Sequence, residues 1–129
     1  MNTQKIKEKF IEELEDQIWR KELNIAFDLS KIPEIEKLRD DKFKELDGLN
    51  ADYNLIDPAD TTKQTRVKRK DLEKKIATAE DFTLKCDETI VTVRDNTNKE
   101  RERIDQLMAR IKFARGFILT VPEDVNTAQ

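Results

Sequence analysis

The chain has 129 residues, of which 41% are charged and 36% hydrophobic, with a net charge of -3. This is one domain's worth of protein with much solvated surface, and the near-balanced charge and recurring Ile, Leu and Phe argue against disorder. There is no His, one Ser (Ser30) and one Cys (Cys86), which excludes Ser–His and Cys–His nucleophiles, zinc sites of the usual Cys/His kind and an intrachain disulfide.

The first segment, about 2–29, carries Ile6, Phe10, Leu14 and Ile18 four apart and Ile11, Ile18 and Ile25 seven apart. That spacing predicts an amphipathic helix, with Trp19, Leu23 and Phe27 widening its apolar face. Pro33 disfavours helical geometry at Ile32, so a break is expected there, with Ser30 capping the next helix. That second helix is expected over about 33–47, striped by Ile35, Leu38, Phe43 and Leu46 and ended by Gly48. Residues 49–56 read as a loop with apolar anchors.

Asp57 as cap, Pro58 at the first helical position and Asp60 three residues on predict a third helix from about 57. From Leu72 the chain keeps four-three spacing through Ile76, Ala79, Thr83, Cys86, Ile90, Val93, Thr97, Glu100, Ile104, Leu107, Ile111, Ala114 and Ile118. That is a heptad seam. It turns polar at Thr97 and Glu100, beside the poor helix formers Asp95-Asn96-Thr97-Asn98, and Thr97 to Glu100 fits a capping box. A second line, Ala77, Leu84 and Val91, would stay wet unless another helix covered it. A reversal near 95–98 is therefore expected, giving helices at about 57–94 and 98–115.

The expected fold class is all-α, an elongated helical bundle or coiled-coil hairpin of three to four helices in a single domain, 1–129. One alternative is a single C-terminal helix of about 60 residues, as the unbroken seam would give if the chain did not turn. Another is a small β element pairing 89–93 with 117–121, since Thr89 to Val93 are five β-branched residues in a row and 117–121 resembles them.

Carboxylates cluster at Glu12, Glu15 and Asp16 and at Glu36 and Asp40, a pattern best read as solvated acidic faces. "DNTNKERERIDQ" has the length of a calcium loop but lacks its glycine and final Glu. Cys86 sits in the seam as a small hydrophobe. No catalytic residue, metal or cofactor is expected.

Two stretches suggest partners. Lys63, Arg66, Lys70 and Lys74 fall on one helical line within a seven-base run, Lys63–Lys75, and would follow phosphates; packing against Glu34, Glu36, Asp40 and Asp41 is the preferred reading. Phe117, Ile118, Leu119 and Val121 form an apolar tail after Gly116, a candidate partner-binding segment. Residues 1–60 carry 16 acids and 10 bases, and residues 61–129 carry 12 acids and 15 bases. Opposed halves suit packing on each other or on different partners.

The expected function is a non-enzymatic structural or interaction protein, a component of a larger assembly such as a virus particle or secretion apparatus, forming homo- or hetero-oligomers. The alternatives are a small acidic helical chaperone or inhibitor that masks a partner, and a nucleic-acid-binding accessory using 63–75. No apolar run reaches membrane-spanning length and no signal peptide is seen, so the expected location is cytoplasmic or within a particle.

Overall fold

A computed structural model describes residues 3–117. They are all-helical, with two long helices packed against each other: α1 (Thr3–Asn54) and α2 (Lys63–Gly116). The chain divides into two compact units. Unit 1 combines residues 1–28 with 96–129, and unit 2 is the hairpin 29–95.

In α2 the seam read from the sequence is the buried face. Leu72, Ala79, Thr83, Cys86, Ile90, Thr97, Ile104, Leu107, Ile111 and Ala114 are buried, and Ile76, Val93 and Glu100 are half-buried. α1 answers with its own four-three series, Lys7, Ile11, Leu14, Ile18, Lys21, Ile25, Asp28, Ile32, Ile35, Arg39, Lys42, Leu46, Leu49 and Tyr53, each buried or half-buried.

The expected reversal at 95–98 does not occur, and α2 runs through it. The polar seam position that suggested a turn is matched across the helix pair in unit 1: Lys21, itself a seam residue, donates to the Glu100 carboxylate at 2.9 Å. A paired polar layer in a coiled coil fixes register instead of ending the helix. Among the described residues there are thus two helices, not three or four, and the 54-residue α2 is close to the long-helix alternative.

The break at 29–33 is also absent, since Pro33 lies inside α1. Its ring is exposed, and the neighbouring seam residues Ile32 and Ile35 keep the heptad phase on either side. A seam that keeps its phase through the proline outweighs one missing backbone hydrogen bond. Gly48 likewise sits within α1 and is not at positive φ, so it is no cap. The expected loop 49–56 is helical to Asn54 because Leu49 and Tyr53 extend the seam, and the Tyr53 hydroxyl donates to Glu73 at 2.9 Å.

The start of α2 moves from 57 to Lys63. Asp57 caps a tight turn, accepting from the Ala59 amide at 2.9 Å, while the Asp60 amide donates to the Asp57 carbonyl. Thr62 is the N-cap: its hydroxyl accepts from the Thr65 amide and its carbonyl takes the first helical bond, from Arg66.

The β alternative fails at 89–93, which is helical. Ile90 and Val93 fill seam positions, and the Thr89 and Thr92 hydroxyls donate to the carbonyls of Lys85 and Glu88, four residues back. That local bond satisfies a threonine in mid-helix. The other half of that pair, beyond Phe117, lies outside the described residues.

Candidate functional site

Two heptad seams account for the buried face, so what remains outside them is surface. In unit 1, Ile6 and Phe10 on α1 lie beside Phe113 and Phe117 at the end of α2. With Ala109, Ala114, Lys7 and Arg110 they line an open groove of about 520 Å3. Its walls are apolar, and Phe113 is 71% exposed. The Phe113 and Phe117 rings stack with centroids 5.6 Å apart.

The groove is built by off-seam spacing. Residues four apart drift about 40° around a helix at each step. Leu14 and Ile18 hold the seam, so Phe10 and Ile6, continuing the same series backwards, swing out of it. Phe113 and Phe117, four apart on α2, likewise lie outside the seam, which is held there by Ile111 and Ala114.

Charged groups fix the groove's end. The Lys7 ammonium donates to the carbonyls of Arg115 at 2.9 Å and Phe117 at 3.1 Å, so α1 supplies the cation that the C-terminus of α2 favours. Arg110 sits over the Phe10 ring at 6.0 Å from its centroid, and Arg115 pairs with Glu15 at 3.2 Å. Phe113 and Phe117 also wall a second apolar hollow with Ala109, Lys112 and Gly116. Among the described residues no carboxylate lines either space.

Of the tail residues singled out, Phe117 belongs to this groove, whereas Ile118, Leu119 and Val121 lie outside the described residues. The meeting of Ile6, Phe10, Phe113 and Arg110 is not evident from the sequence of either helix alone. The paired four-residue spacings off the seam were the available signal.

The broad α1 face expected from Phe10, Trp19, Leu23 and Phe27 is not core. Trp19 is 59% and Phe27 64% exposed. On α2 the second line stays uncovered too, with Leu84 and Val91 each 56% exposed.

In unit 2 the structure places Lys63, Arg66, Lys70 and Lys74 on one exposed line of α2. The preferred packing against Glu34, Glu36, Asp40 and Asp41 is not seen. Glu36 pairs with Arg94 at 3.5 Å, and Asp40 with Arg39 at 3.4 Å. Arg39 also binds Asp87 at 2.8 Å, which with the Asp40 contact raises its pKa. The four stripe cations have no acidic partner among the described residues. Within the same basic run, Lys75 pairs with Asp71 and the Arg69 guanidinium donates to the Asp57 carbonyl.

Asp16 pairs with Arg20 along α1. Among the described residues no group of three or more Cys, Asp or Glu side chains is arranged to hold a metal ion, and no helix is long and apolar enough to cross a membrane. No family model, curated protein or solved structure matches the chain.

Proposed function

We propose that the chain is a non-enzymatic interaction protein, a component of a larger protein assembly in the cytoplasm or in a particle. The apolar groove of Ile6, Phe10, Phe113 and Phe117 serves as its docking surface. The observation carrying this reading is that large aromatic side chains remain exposed and concave together, while a complete heptad seam already supplies the core. Solvated monomers rarely leave such a surface bare, and burying each Phe or Ile contributes about 1.5–3 kcal/mol.

The test combines light-scattering mass at rising concentration with recovery of cross-linked complexes from source cells. A complex of fixed stoichiometry, lost in F10E/F113E while helicity and melting hold, supports the reading. A wild-type chain that stays monomeric and yields no such complex overturns it. The masking chaperone belongs to the same test, since it would give a transient complex with many clients instead of fixed stoichiometry.

A second reading rests on the unpaired stripe. Four cations on one line suit a polyanion such as nucleic acid, with binding that weakens steeply with salt. Low-salt retention on DNA or RNA, abolished in R66E/K70E/K74E, supports it; no retention of the wild type removes it.

A further inference from the structure

We infer that the partner of the unit 1 groove is an acidic amphipathic helix, which lays apolar side chains between Phe10 and Phe113 and sets carboxylates against Lys7 and Arg110. This rests on the reading of the groove as a docking surface and adds the chemistry of its partner.

Shape and charge carry it together. The walls are pairs of residues four apart, Ile6 with Phe10 on α1 and Phe113 with Phe117 at the end of α2. A groove walled by the side chains of two helices offers no strand edge to extend, and it suits the apolar face of a third helix. The charge around those walls has one sign. Lys7 and Arg110 line the groove, Lys112 adds to them in the adjoining hollow, and among the described residues no carboxylate lines either space.

The carbonyl end of α2 is a source of negative potential that would repel an acid. Lys7 neutralises it by donating to the carbonyls of Arg115 and Phe117, and an ammonium has a third N–H to give. Arg110 rests on the Phe10 ring, so its charge stands directly over the apolar wall. A carboxylate one helical turn from an inserted apolar side chain meets it there. A symmetric contact with a second copy would instead bring two cationic grooves together, which like-charge repulsion opposes.

The test uses three synthetic helical peptides of about 18 residues, long enough to hold helical structure. They share one apolar face and differ only in its flanking residues, which are all Glu, all Gln or all Lys. Binding to the full-length chain is read by fluorescence anisotropy at low and high salt. The Glu peptide is expected to bind about tenfold more tightly than the Gln peptide and more tightly still than the Lys peptide, with the advantage shrinking in high salt. R110E should remove the preference and R110K should keep it, while F10E/F113E should abolish binding of all three. Circular dichroism checks that each variant stays helical.

Equal affinity for the three peptides overturns the inference. So does a preference that survives R110E and disappears in R66E/K70E/K74E, which would assign the acids to the stripe of unit 2. Either result leaves the groove standing as a docking surface. Failure of that broader reading shows separately, as a wild-type chain that stays monomeric and yields no cross-linked complex from source cells.

Discussion

Units 1 and 2 use the same four-three spacing with different chemistry. In unit 1 the buried positions of the seam are mainly aliphatic on both sides, Leu14, Ile18 and Ile25 on α1 and Ile104, Leu107, Ile111 and Ala114 on α2, with polar interruptions at buried Thr97 and at half-buried Lys7, Lys21, Asp28 and Glu100. In unit 2, α2 supplies Leu72, Ala79, Thr83, Cys86 and Ile90, but beyond Ile32 the α1 seam is Ile35, Arg39, Lys42, Leu46, Leu49 and Tyr53, all only half-buried. There, long polar side chains bridge the helices: Arg39 to Asp87, Tyr53 to Glu73, and Lys42 at 5.0 Å from the centre of the Phe82 ring. Periodicity alone makes a helix pair, and the residues at the seam decide how firmly it closes. The firm unit carries the apolar groove, and the looser one carries the free cations.

The largest expected effect breaks the firm side. Leu107→Ala empties a buried seam position and should cost about 3 kcal/mol in urea unfolding, whereas Leu46→Ala, half-buried in unit 2, should cost about 1 kcal/mol. Equal losses would erase the distinction between the units.

The next effect strengthens the looser side. Unit 2 contains Pro33 and Gly48 inside α1. Pro33→Ala restores a helical amide and should stabilise by about 2 kcal/mol, and Gly48→Ala by roughly 0.5–1 kcal/mol. A Cβ at Gly48 meets nothing within 4 Å, and its φ is not positive, so neither crowding nor strain opposes the change. The rise in melting temperature checks both.

A smaller effect probes the polar layer of unit 1. Lys21 and Glu100 lie in the seam with side chains 25% and 32% exposed. A double-mutant cycle with K21M and E100L should give a coupling above the ~0.5 kcal/mol of an exposed helical pair. By comparison, the cycle on Lys75 and Asp71, exposed on α2, should give less.

The smallest is a pH effect on the same pair. The hydrogen bond from Lys21 holds the Glu100 carboxyl below its ordinary value of 4.5. A carboxylate favoured in the folded state stabilises above its ordinary value, and that contribution is lost as pH falls through the lowered folded value. Glu100→Gln should therefore flatten the acid limb of stability below pH 4.5 and leave the neutral-pH slope unchanged, as read by urea midpoints across that range.

Much of the fold was legible in sequence. The α2 seam from Leu72 to Ala114 is the buried face residue for residue, because heptad spacing survives Thr, Cys and Glu in the series. The helices run longer than local sequence indicates for one physical reason. Pro33, Gly48 and the Asp95–Asn98 run are unfavourable in an isolated helix, but a continuous seam outweighs local propensity. In α1, Lys21, Arg39 and Lys42 keep four-three phase with the aliphatic residues, and their charge hides that phase from a pattern of apolar residues. The stripe of Lys63, Arg66, Lys70 and Lys74 was legible as a line. That it has no acidic partner required the structure. Of the groove, Phe117 was visible, while the meeting of Ile6 and Phe10 with Phe113 depended on antiparallel packing that helix-by-helix reading did not supply.

Amide hydrogen exchange of the intact chain, monitored by mass spectrometry, tests the central contrast most directly. The expected result is slow exchange through 97–114 and 14–25, continued protection across 95–98, and markedly faster exchange over 39–53. Rapid exchange at 95–98, or protection over 39–53 that outlasts 97–114, would contradict a seam that runs unbroken through α2 and closes most firmly in unit 1.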